Sequence, residues 1–371
     1  MRDFGLYVHV PFCAKRCPYC AFVLIESDGG LHERFVGAVE REMDRAAAEH
    51  GRVPFGTLYF GGGTPSMLEP PQIERLVAAA RARFEPRGAL EVTLESNPDG
   101  IGVGRLREFR DAGTTRLTLG LQSVWDDELS FLGRTHDAKG GVEAFHAARA
   151  AGFRNVVLDL IFGLPGQPVE RWRQTLERVV ALAPEHVSLY GLTIEKGTAF
   201  ERSVSVVEDD QKPHYELAMT MLPREGYRQY ELSNFARPGF ESRHNSGYWD
   251  GRPYLGFGPG AHSYLPHRRW ANVANVREYL DRAEQGGDVV AMREELTREQ
   301  RMLERAFLGL RRVEGIFAPA WEEEFGEAVA ARHGKAIEEC RALGLLEWRG
   351  GFLTLTRAGR LVADSVVAKF A

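Results

Sequence analysis

The chain has 371 residues, of which 44% are apolar and 27% charged, enough for a full hydrophobic core and a second domain. Its net charge of −5 excludes a global attraction to nucleic acid. No apolar run approaches the ~20 residues of a membrane-spanning helix, residues 1–10 lack the pattern of a signal peptide, and four cysteines give no disulfide framework and match a reducing compartment.

The first apolar run, residues 6–10, reads as a strand and leads into Cys13-Ala-Lys-Arg-Cys17-Pro-Tyr-Cys20. Four thiolates close a zinc site or fully ligate an iron–sulfur cluster. Three nearby thiolates hold a four-iron cluster and leave one iron with an open position. On spacing alone zinc remains an alternative, with His9 or the remote Cys340 as fourth ligand. Tyr19, next to Cys20, either covers a cofactor ring or packs.

Further strand-like runs follow at 57–60, 91–94, 116–119, 155–161 and 186–190. Helical patterns near 31–50, 71–84, 103–112, 137–151 and 169–182 separate them. Ile73, Leu76, Val77 and Ala80 show the three-and-four spacing. This alternation predicts parallel pairing with right-handed crossovers, and six units predict an α/β fold, a partial (β/α)6 TIM-like barrel. In such barrels chemistry sits at the carboxyl ends of the strands. There the sequence places the cysteines, Gly61-Gly62-Gly63-Thr64-Pro65, Glu95-Ser96-Asn97-Pro98, Gln122, Asp159 and Thr193, which predicts one large site at the barrel mouth.

The glycine loop lets backbone approach a ligand closely and lacks the Lys-Ser/Thr ending of a P-loop. Glu95 and Asp159 are either acceptors for ribose or amino groups, or helix caps. Arg134 either forks onto a ligand carboxylate or stays solvated.

Residues 227–270 are rich in aromatic residues, Gly and Asn. His244-Asn-Ser-Gly-Tyr248-Trp249 lies in a Gly-rich loop region. Its rings either bind a flat macrocycle, imidazole being a common ligand of haem iron, or pack on the barrel. Beyond it, the stripe Met302, Leu303, Ala306, Phe307 and Leu310, a helix at 336–346, and a hairpin of 345–348 with 352–355 predict a small winged-helix-like α+β domain. Three regions follow: a partial barrel at 1–230, a linker and motif region at 231–290, and the C-terminal domain at 291–371. Arg311, Arg312, Arg349 and Arg357 are interrupted by Glu322, Glu323 and Glu324, so the wing has no clear basic recognition stripe.

Cys13, Cys17 and Cys20, in the form Cys-x3-Cys-x-aromatic-Cys, resemble the signature of the radical S-adenosylmethionine (SAM) superfamily. The opening Tyr7-Val8-His9-Val10-Pro11-Phe12-Cys13, the loop 61–65 and the stretch 159–165 resemble the oxygen-independent coproporphyrinogen III dehydrogenase group over essentially the whole chain. Within that group three features resemble the HemW-type haem chaperones. Phe22 stands where the dehydrogenases carry a further cysteine, the motif begins as early as Cys13, and residues 244–249 match a His-Asn-x-x-Tyr-Trp motif associated with haem.

The resemblance implies that Cys13, Cys17 and Cys20 hold a [4Fe-4S] cluster whose fourth iron SAM chelates. It places Tyr7, Tyr19, Gly62, Gly63, Thr64, Glu95, Gln122, Arg134 and Asp159 around SAM, with glycine amides and Thr64 at the methionine end and Arg134 on its carboxylate. It makes His244 the ligand of haem iron, with Tyr248 and Trp249 shaping the pocket. It implies a cytoplasmic haem chaperone that hands haem to an acceptor protein, with a respiratory membrane protein as acceptor, peripheral membrane contact and no nucleic acid partner. SAM and the cluster then gate transfer, drive homodimerisation or supply redox chemistry. The alternative is a dehydrogenase, in which SAM cleavage gives a 5′-deoxyadenosyl radical that takes a propionate hydrogen from coproporphyrinogen III before decarboxylation. A third reading, a winged-helix regulator with a sensing cluster, requires salt-dependent DNA binding.

Overall fold

A computed structural model describes residues 3–26 and 29–370. Six parallel strands form its centre: β1 (Phe4–Val10), β2 (Pro54–Gly62), β3 (Glu85–Ser96), β4 (Arg116–Gln122), β5 (Val156–Phe162) and β6 (His186–Gly191). Helices His32–His50, Pro70–Arg83, Val103–Asp111, Ala138–Ala150 and Val169–Leu182 connect them, within two residues of the predicted bounds. The helix Pro70–Arg83 shows why the pattern was readable. Proline occupies its first turn, where no N–H is missed. Gln72 accepts a 2.9 Å bond from Glu69 N, and Ile73, Leu76, Val77 and Ala80 are buried on one face.

Strand alternation divides the molecule. Leu6, Val8, Val10, Leu58, Phe60, Val92, Leu94, Leu117, Leu119, Leu158 and Leu160 are buried under the helices in one continuous apolar core. Their neighbours Gly5, Tyr7, His9, Thr57, Tyr59, Glu91, Glu95 and Asp159 line the barrel interior, which is therefore polar and aromatic.

The segment 231–290, expected as a linker and motif region, is built into the same sheet. Tyr254–Phe257 pairs parallel with β1, and His262–Leu265, Arg268–Asn272 and Val290–Glu295 continue beyond it antiparallel. On the other side Asn234–Ala236 pairs antiparallel with β6. These strands are three to six residues long and broken by turns, so no run was long enough to read. The helix Glu208–Arg224 was also unexpected, because Pro213 and Pro223 interrupt its pattern. Trp172 anchors to it by donating from Nε1 to His214 O at 3.0 Å.

Residues 298–370 carry a second core, including Met302, Ala306, Leu310, Trp321, Ile337, Cys340 and Leu353. Helices surround a three-stranded sheet of Ile316–Phe317, Phe352–Leu355 and Leu346–Arg349, the predicted hairpin with one added strand. Among the described residues no helix is long and apolar enough to cross a membrane.

Candidate functional site

Cys13, Cys17, Tyr19, Cys20, Gly62, Gly63, Thr64, Glu95, Gln122, Arg134 and Asp159 line one cavity of about 450 Å³ at the carboxyl ends of the strands. Tyr7 does not. It lies one layer deeper, its hydroxyl 3.0 Å from His9 Nδ1. His9 Nε2 is 2.7 Å from Val23 O, which fixes the proton on that nitrogen and leaves no lone pair there for a metal. Cys340 is fully buried in the C-terminal core. Neither proposed fourth zinc ligand is available. Among the described residues, no three thiol, imidazole or carboxyl groups close on a point as a lone zinc ion requires. The three thiols border a roomy pocket instead, which suits a cluster.

Hydrogen bonds join two of those thiols. Cys13 Sγ lies 3.4 Å from Thr64 Oγ1. Thr64 Oγ1 accepts from Asn97 Nδ2 at 3.2 Å, and Asn97 Oδ1 accepts from Arg134 Nη2 at 2.6 Å. Arg134 Nη1 reaches Cys17 Sγ at 3.5 Å. Burial raises the Cys13 and Cys20 thiols; the Thr64 contact opposes this at Cys13. Asn97 was seen in the sequence only as a strand-end polar residue. Its position before Pro98 was the available signal.

The glycine loop corrects an expectation. Gly62 N donates to Glu95 Oε2 at 3.2 Å, Gly63 N to Val10 O at 2.8 Å and Thr64 N to Phe12 O at 2.7 Å. Those amides are engaged, so the loop offers a ligand carbonyl oxygens and close approach. Gly62 has φ 112°, and a Cβ on Gly63 would stand 2.6 Å from Phe12 O. Gln122, with φ 64°, is held in the left-handed region inside the site, the kind of strain that collects at functional positions.

Burial pushes Glu95 up to about 7 despite a 2.6 Å bond from Tyr59, and Asp159 up to about 6. Asp159 Oδ1 is buried without a partner. A cationic ligand with N–H or O–H donors relieves both conditions, and SAM carries a sulfonium, an amino group and ribose hydroxyls. The chain's own residues therefore fit that cofactor.

The second motif lies elsewhere. Residues Arg243–Trp249 form a helix, where a loop was expected. Ser242 caps it by accepting from Asn245 N at 3.2 Å. Glu91 accepts from Arg243 N at 3.2 Å and His244 N at 3.0 Å, a carboxylate at the positive end of the helix. This helix closes the amino-terminal end of the barrel. His244 packs against Tyr7 and Tyr59, with ring centroids 6.4 and 5.0 Å away. Its partner Thr57 lies four residues before Gly61 on β2, roughly 13 Å along the strand.

Both ring nitrogens of His244, expected as the ligand of haem iron, have partners in this structure. Its Nδ1 lies 2.8 Å from Thr57 Oγ1 and its Nε2 2.9 Å from Tyr248 Oη. It is 3% exposed, and the adjoining cavity measures about 30 Å³, too small for a macrocycle. Burial pushes its pKa down to about 3, so the ring is neutral. Trp249 faces away from it, into a cleft against the C-terminal unit.

An open parallel barrel with three thiols and a glycine loop at its mouth defines the radical SAM class. A family model of the radical SAM superfamily matches residues 7–179, and one of the HemN C-terminal domain matches residues 296–362. The heme chaperone HemW of Bacillus subtilis is 33% identical over 98% of each chain. That of Mycobacterium tuberculosis is 38% identical over 99% of this chain and 94% of its own. The solved structure of coproporphyrinogen III oxidase (HemN) from Escherichia coli, a radical SAM enzyme, superposes with a TM-score of 0.86 at 24% identity, covering 100% of this chain and 90% of that one; it shows the shared fold. The chain belongs to the radical SAM superfamily and, within it, to the HemW family.

Proposed function

We propose that this protein is a cytoplasmic haem chaperone that holds a [4Fe-4S] cluster and SAM at the barrel mouth and passes haem to an acceptor protein. Cys13, Cys17 and Cys20 bind the cluster. Arg134 receives the SAM carboxylate. Glu95, Gln122 and Asp159 accept from its amino and ribose groups, and Tyr19 covers the site. When bound, the cluster supplies one-electron chemistry; these residues orient the cofactor and exclude water.

The observation that carries this reading is the separation of the two motifs. A porphyrinogen oxidised by the SAM-derived radical has to enter the cysteine cavity. The residues associated with haem lie at the other end of the barrel, behind Tyr7 and Tyr59. Haem is thus treated as cargo, kept apart from the reactive cofactor. The full-length similarity to relatives named heme chaperones supports the same reading. An acceptor in the respiratory membrane, reached by peripheral contact, fits it.

Anaerobic reconstitution with parallel iron, sulfide and haem quantification tests it. Wild type is expected to hold all three, and Cys17→Ala to lose the sulfide and the iron in excess of haem but keep haem. Conversion of coproporphyrinogen III to protoporphyrinogen IX, without haem binding, would replace the chaperone by a dehydrogenase.

A further inference from the structure

Resting on the reading of the barrel mouth as a SAM site, we infer that Glu128, which lies outside the cavity, is a positioning residue: it holds the strained turn that presents Gln122 to the cofactor.

Gln122 ends β4 with its backbone in the left-handed region, φ 64°, which is unfavourable for a residue with a Cβ. Ser123 N donates to Leu121 O at 2.8 Å, so Leu121, Gln122 and Ser123 form a three-residue turn of the rare, strained kind. A bulge accompanies it. Leu119 pairs with Leu158 and Gln122 with Leu160, so β4 carries one residue more than β5 over that stretch. Bulges re-aim side chains beside functional sites. At Gly120 an added Cβ would stand 3.0 Å from Gln122 Nε2 and 3.4 Å from both Arg134 Nη2 and Asn97 Oδ1. The Gln122 amide is thus folded back beside the Arg134–Asn97 pair, where it lines the cavity.

Strain of this kind persists only where the surroundings hold it. The turn is gripped on both sides. His136 Nε2 donates to Leu121 O at 3.2 Å, and Ser123 Oγ donates to Glu128 Oε2 at 2.5 Å. Ser123 and Glu128 are both buried. A glutamate at the third position of a helix ordinarily bonds back to the N–H of its own capping residue. In the helix Asp126–Phe131 that residue is Trp125, and its N–H goes to Ser123 Oγ at 3.2 Å instead. Glu128 is released from capping and bonds to the strained turn. Its other oxygen accepts from Gln167 Nε2 at 3.1 Å, and Gln167 Oε1 accepts from Gly163 N at 2.8 Å. Arg171 Nε, 3.1 Å from that same oxygen, balances the charge. One buried carboxylate therefore ties the end of β4 to the loop after β5, the strands that carry Gln122 and Asp159.

Equilibrium SAM binding to the anaerobically reconstituted full chain tests this, with iron and sulfide content and circular dichroism measured for each variant. Glu128→Ala and Gln122→Ala are each expected to weaken SAM about tenfold and to keep the cluster. The double variant is expected to bind no more weakly than either single one, because Glu128 acts through Gln122. Glu128→Gln, which keeps an oxygen for Ser123, is expected to recover most of the affinity. Should Glu128→Ala not fold, Ser123→Ala cuts the same link and carries the same expectations. Wild-type affinity in folded Glu128→Ala or Gln122→Ala, or losses that multiply to about a hundredfold in the double variant, overturns the inference and leaves the mouth a SAM site. A reconstituted wild type that holds no cluster or no SAM overturns the reading of the mouth itself.

Discussion

Asn97 grips Arg134 at 2.6 Å, and through that grip Arg134 reaches the sulfur of Cys17. The same amide donates to Thr64, which touches Cys13. One uncharged side chain thereby sets the environment of two of the three thiols proposed to hold the cluster. Hydrogen bonds to cluster sulfurs raise its reduction potential, and such supporting residues orient the direct ligands. Asn97→Ala is expected to assemble a cluster with unchanged iron and sulfide, to lower its midpoint potential, and to weaken SAM about tenfold. A redox titration followed by electron paramagnetic resonance reads the first effect and equilibrium SAM binding the second. Wild-type values for both would remove Asn97 from the site.

Gly63→Ala forces a Cβ to within 2.6 Å of a backbone oxygen, Phe12 O. No rotamer relieves a contact with backbone, so strand and loop must separate where Gly63 N and Thr64 N bond to Val10 O and Phe12 O. The variant is expected to lose about 1–3 kcal/mol of stability, and its SAM affinity should fall at least tenfold. Denaturant unfolding and SAM binding check the two effects together.

Buried Glu42 gives the fold a pH dependence away from the cofactor. It accepts from Tyr279 Oη at 2.6 Å, Asn272 Nδ2 at 2.6 Å and Gly258 N at 2.9 Å. Burial nevertheless raises its carboxyl to about 7, from an ordinary 4.5. Between those values the folded chain keeps a proton that the unfolded chain releases, so stability falls as pH rises through that window. The loss is at most about 3 kcal/mol. Glu42→Gln should flatten the slope between pH 5 and 8 in urea unfolding. Glu95 and Asp159, raised for the same reason, leave a residual slope of the same sign.

Tyr248→Phe removes the hydroxyl beside His244 Nε2 and leaves that nitrogen buried without a partner. The expected cost is about 1–3 kcal/mol. Cluster content and SAM affinity should not change, since Tyr7 and Tyr59 lie between this helix and the cysteine cavity. A drop in iron and sulfide would show that the two ends of the barrel are coupled.

The barrel was legible because its strands carry two messages. Every second residue, such as Leu6, Val8 and Val10, is apolar and packs under helices, while the intervening ones carry chemistry. The mouth was legible because Cys13, Gly62, Glu95 and Gln122 each fall where a strand ends. Other features were not readable. The short strands at 254–272 depend on β1 as a template, which local pattern does not reveal. The helix at 243–249 contains Gly247 and needs Ser242 and the distant Glu91 to cap it. The engagement of the Gly63 amide depends on Val10, more than fifty residues upstream. Motif spacing identified His244 as unusual, but only its partners Thr57 and Tyr248 show that its nitrogens are taken.

The plug of Tyr7, Tyr59 and the capped helix at 243–249 walls off the amino-terminal end of the barrel, whereas the sheet itself does not close into a ring. A molecule bound beside the three sulfurs thus meets, among the described residues, a floor of two adjacent phenols beneath it, and its traffic runs on the side away from that floor.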